Sequence, residues 1–270
     1  MRPAERRPVA LVTGASRQRG IAAAVALGLA DSGWDVATTY WLPYDQRMPW
    51  GSQTEDVPEL ERQLQRRGAA TAAIEADLAD PATSSVIFDS VEAALGTVTT
   101  LVLAHCESVA SGILDTTVDS FDRHFAVNTR ASWLLIREFA RRFTGEPGRG
   151  RIIGLTSDHV AGNLPYGASK GGLDRIILAA ARELEHLGMT ANVINPGATD
   201  TGWMSQEQMR QFAERVPLGR VSTPEDCAHL VSFLCSQQGG WVTGQLIHSN
   251  GGNCSDSRTR EDYRSGELAG

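Results

Sequence analysis

Tyr166 and Lys170 stand four residues apart in Tyr166-Gly167-Ala168-Ser169-Lys170, where a helical pattern opens. Residues at that spacing share one helix face. An ammonium beside a phenol favours the phenolate and lowers a pKa that begins at about 10. Tyr166 is therefore a candidate proton donor or acceptor at neutral pH. Ser157 follows the apolar run Ile152-Ile153-Gly154-Leu155. A hydroxyl at a strand end can hydrogen-bond a carbonyl bound there, or serve only as a turn or helix cap. Asn128 lies in Ala126-Val127-Asn128-Thr129, inside a long helical pattern. Asparagine is a poor interior helix residue because its amide competes for backbone hydrogen bonds. Its presence points to a polar task, or to a buried side chain that satisfies local backbone.

Upstream, an apolar run feeds into Thr13-Gly14-Ala15-Ser16-Arg17-Gln18-Arg19-Gly20-Ile21, and a helical pattern begins at once. Glycine permits a tight turn and a close backbone approach. The helix start adds free N–H groups and a positive dipole end. Such a turn suits a pyrophosphate. Asp77, in Glu75-Ala76-Asp77-Leu78, closes a further apolar run. It can meet an adenine ring there, or cap the helical segment after Pro81. Asn195-Pro196-Gly197 breaks a late strand, and Thr201 follows where it can bond a carboxamide.

The elements that must position these groups alternate. Strands are predicted at Val9–Thr13, Asp35–Thr39, Thr71–Ala76, Thr99–Ala104, Arg151–Thr156, Thr190–Asn195 and Gln245–His248. Helices are predicted near Ile21–Ser32, Val57–Arg67, Thr83–Leu95, Val118–Arg142, Tyr166–Leu187 and Pro224–Ser236. Strand–helix alternation implies a parallel sheet covered on both faces, wound by right-handed crossovers. Residues 38–57, rich in aromatics, read as one long connection. With 41% hydrophobic and 21% charged residues the chain can bury a full core. A net charge of −7 and no basic stripe exclude nucleic acid as an expected partner. No stretch has the length of a membrane span or a secretory leader, so no membrane partner is expected. Cys106, Cys227, Cys235 and Cys254 form no C-x-x-C pair, which predicts free thiols and no metal.

Taken in order, these motifs resemble those of the short-chain dehydrogenase/reductase family, and within it the 3-oxoacyl-ACP reductases, over roughly Pro8 to Gly252. Gly244 and Asn250-Gly251-Gly252 resemble its closing strand. The resemblance implies an α/β, doubly wound Rossmann fold with a seven-stranded parallel sheet and helices on both faces. Residues 8–252 form one domain, with 1–7 and 253–270 as flexible tails. It implies an NAD(P)-dependent oxidoreductase that moves a hydride between a nicotinamide and a small or medium carbonyl or secondary alcohol. Tyr166 is then the general acid or base, and Lys170 holds the nicotinamide ribose and depresses the phenol. Ser157 orients the carbonyl, and Asn128 anchors a water that relays protons through Lys170. Coenzyme contacts are expected from Gly14, Ser16, Arg17, Arg19, Gly20 and Ile21 in the turn. Tyr40, Asp77, Leu78 and Ala104 are expected on the adenosine side. Tyr166, Lys170, Pro196, Gly197, Thr199 and Thr201 are expected on the nicotinamide side. The family further implies a homotetramer or homodimer packed through its long helices, in the cytoplasm.

The chain departs from the family in four places. The turn carries two extra residues within Arg17-Gln18-Arg19, and Ala22 replaces its third glycine. The usual Asn-Asn-Ala-Gly is replaced by Leu103-Ala104-His105-Cys106, which removes polar groups that brace the sheet; His105 is a candidate replacement. The segment from Ser157 to Tyr166 is short. No acid ends the second strand, and Arg17 and Arg19 can pair with a phosphate, so NADP(H) is favoured over NAD(H). The opposing reading leaves both arginines solvated and folds Asp45 back to bind NAD. Substrate contacts are expected from His105, Glu107, His159, Asn163, Trp203 and Met204, with Met209 on the same apolar wall. The competing functions are a silent nucleotide-binding sensor or scaffold, and enoyl reduction, epimerisation or dehydration at the same site.

Overall fold

The first strand, Val9–Thr13, is buried along its whole length, as a continuous apolar run in a parallel sheet requires. The computed structural model describes residues 7–253. Six more strands join it: β2 (Asp35–Tyr40), β3 (Thr71–Glu75), β4 (Val98–Leu103), β5 (Arg151–Leu155), β6 (Thr190–Asn195) and β7 (Leu246–His248). They pair in parallel in the order β3-β2-β1-β4-β5-β6-β7. This is the doubly wound architecture that the alternation predicts.

One face carries α1 (Ile21–Asp31), α3 (Asp56–Arg66) and α9 (Pro224–Cys235), and the short α2 (Leu42–Gln46) lies between α1 and α3 in the chain. Ala22, Ala23, Ala26 and Ala30 bury a small-residue face of α1, and Gly28 lets it approach Ser232 of α9. Ala22, in place of a third glycine, is accommodated in this core. The other face carries α4 (Thr83–Ala94), α5 (Val118–His124), α6 (Ala131–Arg142) and α7 (Leu164–Glu183). Phe139 stands at its centre, between Phe88 and Phe143. The remaining helix, α8 (Gln206–Arg215), and α9 both begin with capping boxes, Ser205 with Gln208 and Thr223 with Asp226.

Three expectations change. The helix expected over residues 118–142 is interrupted by a π turn at Phe125–Arg130, which carries Asn128. The connection after β2 is not structureless but holds α2. Arg7, assigned to a tail, is fixed: its guanidinium donates to Ala30 O, Gly33 O, Trp34 O and Gly68 O, and so binds the end of α1. The remainder of both expected tails, except Asn253, lies outside the described residues, as does Cys254.

Phe139→Ala removes a side chain only 1% exposed. We expect a loss of about 3–5 kcal/mol and a melting temperature lower by about 6–20 °C. An unchanged melt would remove Phe139 from the core.

Candidate active site

Sheet order reverses between β1 and β4, and a cleft opens there at the carboxyl edge. Its floor is the turn after β1. Gly14 has φ +83°, and a Cβ on it would lie 2.6 Å from the His105 Cα. The Gly14 and Ala15 amides both donate to Thr39 O, at 3.0 and 2.7 Å. Gly20 precedes α1 without any side-chain cap, so its first-turn amides are open to a ligand. The two extra residues splay apart. Gln18 docks on α3, donating to Asp56 O at 2.6 Å and accepting from Gln63 at 2.9 Å. Arg19 forms a two-pronged pair with Asp200, at 2.7 Å to each oxygen. Arg17 lines the cleft, donates to Thr201 O at 2.9 Å, and packs 4.9 Å from the Trp50 ring centroid.

At the cleft's other end α7 delivers Tyr166 and Lys170. Lys170 is 2% exposed, and its ammonium donates to Leu155 O at 2.8 Å and to His105 O at 3.5 Å. Its Nζ lies 5.8 Å from the Tyr166 ring centroid. The Tyr166 phenol hydrogen-bonds the Ser157 hydroxyl, which also accepts from His159 N at 3.2 Å. Burial raises the phenol pKa, the Cys106 thiol adds to that, and the Ser157 hydrogen bond opposes it. The phenol is therefore pushed up, not down as its spacing from Lys170 predicts, because burial outweighs the neighbouring ammonium. Burial lowers the Lys170 pKa, opposed by Cys106 and Asp174.

Small residues let these elements meet. A Cβ on Gly172 would stand 2.9 Å from Thr129 of the π turn, and one on Gly167 would stand 2.0 Å from His159 O. The Asn128 side chain clamps Glu107, accepting from its N–H at 2.7 Å and donating to its carbonyl at 2.9 Å. It also donates to Ser169 Oγ at 2.8 Å.

The stretch around α2 roofs the cleft, and only its richness in aromatics signalled a task. Tyr44 and Asp45 line the cleft, and the Tyr44 hydroxyl donates to Ser108 O at 3.3 Å. Asp45 is 3% exposed and accepts from Trp50 Nε1 at 2.9 Å and from Ser16. Burial raises the Asp45 pKa. Trp50 stacks on Trp203 with centroids 4.9 Å apart. Arg47 forms an ion pair with the buried Glu107, which Arg123 also approaches at 3.6 Å.

Of the expected coenzyme contacts, Gly14, Ser16, Arg17, Gly20, Ile21 and Tyr40 line the cleft. So do Asp77, Leu78, Ala104, Tyr166, Lys170, Pro196, Thr199 and Thr201. Arg19 is committed to Asp200, and Gly197 turns at φ +65° against Asn250. Asp77 caps no helix; it accepts from Ala79 N at 2.9 Å and pairs with Arg123 at 3.1 Å. Among the expected substrate contacts, Trp203 and Glu107 reach the cleft lining. Asn163 donates to Ser108 Oγ at 3.0 Å and leaves a buried Oδ1 unpaired. His159 is exposed, and neither it nor Met204 is part of the lining. His105 lines the cleft, but its ring is turned into buried hydrogen bonds.

A family profile described as "Enoyl-(Acyl carrier protein) reductase" matches residues 14–253. An uncharacterized oxidoreductase of Bacillus subtilis, YjdA, is 36% identical over 249 residues, covering 90% of this chain and 96% of the relative. A short chain dehydrogenase from Burkholderia cenocepacia, solved in complex with NADP, superposes with a TM-score of 0.81 at 32% identity, covering 92% of this chain and 97% of that one. The chain belongs to the short-chain dehydrogenase/reductase family. It is an oxidoreductase of that family. A further member-like relative, an NADPH-dependent aldehyde reductase-like protein of Arabidopsis thaliana, is 33% identical over 260 residues, covering 90% of this chain and 93% of its own.

Arg47→Ala unties one end of the roof while leaving Arg123 beside Glu107. Amide exchange across residues 41–52 is expected to quicken by roughly tenfold, with the sheet unaffected. Unchanged exchange would show that the ion pair does not hold the roof.

Proposed function

We propose that this oxidoreductase reduces a small or medium carbonyl, or oxidises the matching secondary alcohol, with a nicotinamide coenzyme and Tyr166 as general acid or base. The observation that carries the reading is a phenol bonded to Ser157, beside a buried ammonium, in one cleft with a phosphate-type turn. The cleft fits a dinucleotide. A Cβ at residue 14 would fill the cradle, the α1 amides lack a cap, and the lining runs from Arg17 and Tyr40 to Pro196 and Thr199. When bound, the coenzyme supplies the hydride.

The chain's own residues do the rest. Ser157 and Tyr166 donate hydrogen bonds to the carbonyl oxygen and stabilise the charge that develops on it. The Tyr166 proton passes to that oxygen, and the Lys170 ammonium beside the ring stabilises the phenolate left behind. Asn128 holds the backbone of Glu107 and so fixes that part of the cleft lining. The Tyr44 and Trp203 side of the roof keeps water from the reacting atoms.

NADP(H) is the proposed coenzyme, supported by the Arg17 guanidinium in the cleft lining and by the NADP-bound solved relative. The NAD(H) reading gains from Asp45, a buried carboxylate on that same wall. We further propose a homotetramer or homodimer: Trp133 is 47% exposed on α6 and Trp241 97% exposed after α9, apolar surface that a second copy would cover. Cys106, Cys227 and Cys235 are free, which fits a cytoplasmic location.

In a screen of ketones, aldehydes and enoyl compounds with NADPH and NADH, Tyr166→Phe is expected to lower turnover by roughly 10²–10⁴-fold. Coenzyme affinity should stay within about threefold. Equal turnover by variant and parent would remove Tyr166 from the mechanism.

Arg17→Ala is expected to weaken NADPH binding by about tenfold or more and to spare NADH, with Asp45→Asn changing neither strongly. If Asp45→Asn instead weakens NADH while Arg17→Ala leaves NADPH untouched, the carboxylate reads the ribose and the coenzyme is NAD(H).

A further inference from the structure

His105 stands at the carboxyl end of β4, where sheet order reverses, in the segment that lacks the family's Asn-Asn-Ala-Gly. It is 6% exposed. Its Nε2 lies 3.0 Å from Val127 O. A carbonyl only accepts, so Nε2 carries the hydrogen. Nδ1 pairs with the Thr13 hydroxyl, 2.7 Å away, and in the neutral ring it accepts from that hydroxyl. Thr13 Oγ1 in turn accepts from Ala104 N at 3.1 Å. Ser132 Oγ sits 3.3 Å from Nε2 and donates to Asn128 O at 2.8 Å. Every polar atom of the ring thus has a buried partner, and Thr13 Oγ1 also lies 3.2 Å from Val102 O.

We propose that His105 is a positioning residue for the active site, its buried imidazole tying the strand end that launches the phosphate turn to the π turn that carries Asn128. The geometry gives it reach to every part of the site. Its side chain bonds Thr13, immediately before Gly14, and Val127, immediately before Asn128. Its own carbonyl accepts from Lys170 at 3.5 Å, and its Cα is the atom that forbids a side chain at residue 14. A fully satisfied buried network of this kind rigidifies what it joins. The ring also stays neutral across the working range. Burial, and then the Lys170 charge, push its pKa down to about 3 against the Val127 hydrogen bond. The effect on catalysis rests on the Tyr166 reading, whereas the lock itself does not.

The test uses the full chain, with Thr13→Val and His105→Asn. Thr13→Val keeps strand shape and removes the hydroxyl that pairs with Nδ1, Ala104 N and Val102 O, while leaving the ring in place. Nitrogen-15 NMR of the parent should show an Nε2–H imidazole with no titration at about pH 6.5. Amide exchange over residues 125–130 should quicken in both variants by roughly tenfold. With a substrate from the screen, kcat should fall by roughly tenfold or more in both, with coenzyme KM within about threefold. An imidazole that titrates near about 6.5, or π-turn exchange unchanged in both variants, overturns the proposal. Quickened exchange with kcat intact overturns the positioning role. If the parent turns over nothing, the Tyr166 reading has failed, and the NMR and exchange results still decide the lock.

Discussion

A buried ammonium needs acceptors, and the site is arranged around the shorter of the two that Lys170 finds. Lys170 forms no ion pair within the described residues; it donates to the carbonyl of Leu155, the last residue of β5. A lone charge inside a protein is costly unless hydrogen-bonded. That bond fixes the start of α7 against the end of β5. Tyr166, one turn before Lys170, therefore meets Ser157, two residues beyond Leu155. Gly172 and Gly167 permit the approach, because a methyl on either would strike Thr129 or the His159 carbonyl. Packing, charge and the pairing of phenol with hydroxyl are one constraint seen from three sides.

The same economy holds across the cleft. The turn after β1 is held by Thr39 below, by Asp56 and Gln63 on one flank, and by Asp200 on the other. Above it, the roof is fastened through Glu107, Ser108 and Trp203, each reached by a different side chain of residues 44–50. Glu107 is shared: its backbone is clamped by Asn128 and its carboxylate by Arg47. Roof and catalytic wall are thus mechanically connected.

Much of this was legible in the chain. Val9–Thr13 and Thr190–Asn195 match the predicted bounds, the first as an apolar run and the second as a β-branched stretch stopped by Pro196-Gly197. Tyr166 and Lys170 were legible because helix spacing is local. The π turn was not: one extra residue per turn barely disturbs a helical pattern, so Asn128 alone marked it. The fates of Arg17 and Arg19 were not legible either. Their partners, Thr201 and Asp200, lie over 180 positions away, and nothing local reports them. In the sequence Asp45 reads only as an acid that folds back to bind NAD; its bond to Trp50 depends on α2, which the sequence did not reveal. His105 was read both as a brace and as a substrate contact; the ring's direction, which only the fold supplies, favours the brace.

The account is tested most directly by a crystal structure of the enzyme with reduced coenzyme and an inert ketone. The expected result places the pyrophosphate on the turn at residues 14–21. It also sets one carbonyl oxygen within about 2.6–3.2 Å of both the Tyr166 and Ser157 hydroxyls. A ketone seated elsewhere, or a Tyr166 ring turned away from it with the coenzyme in place, would contradict the account.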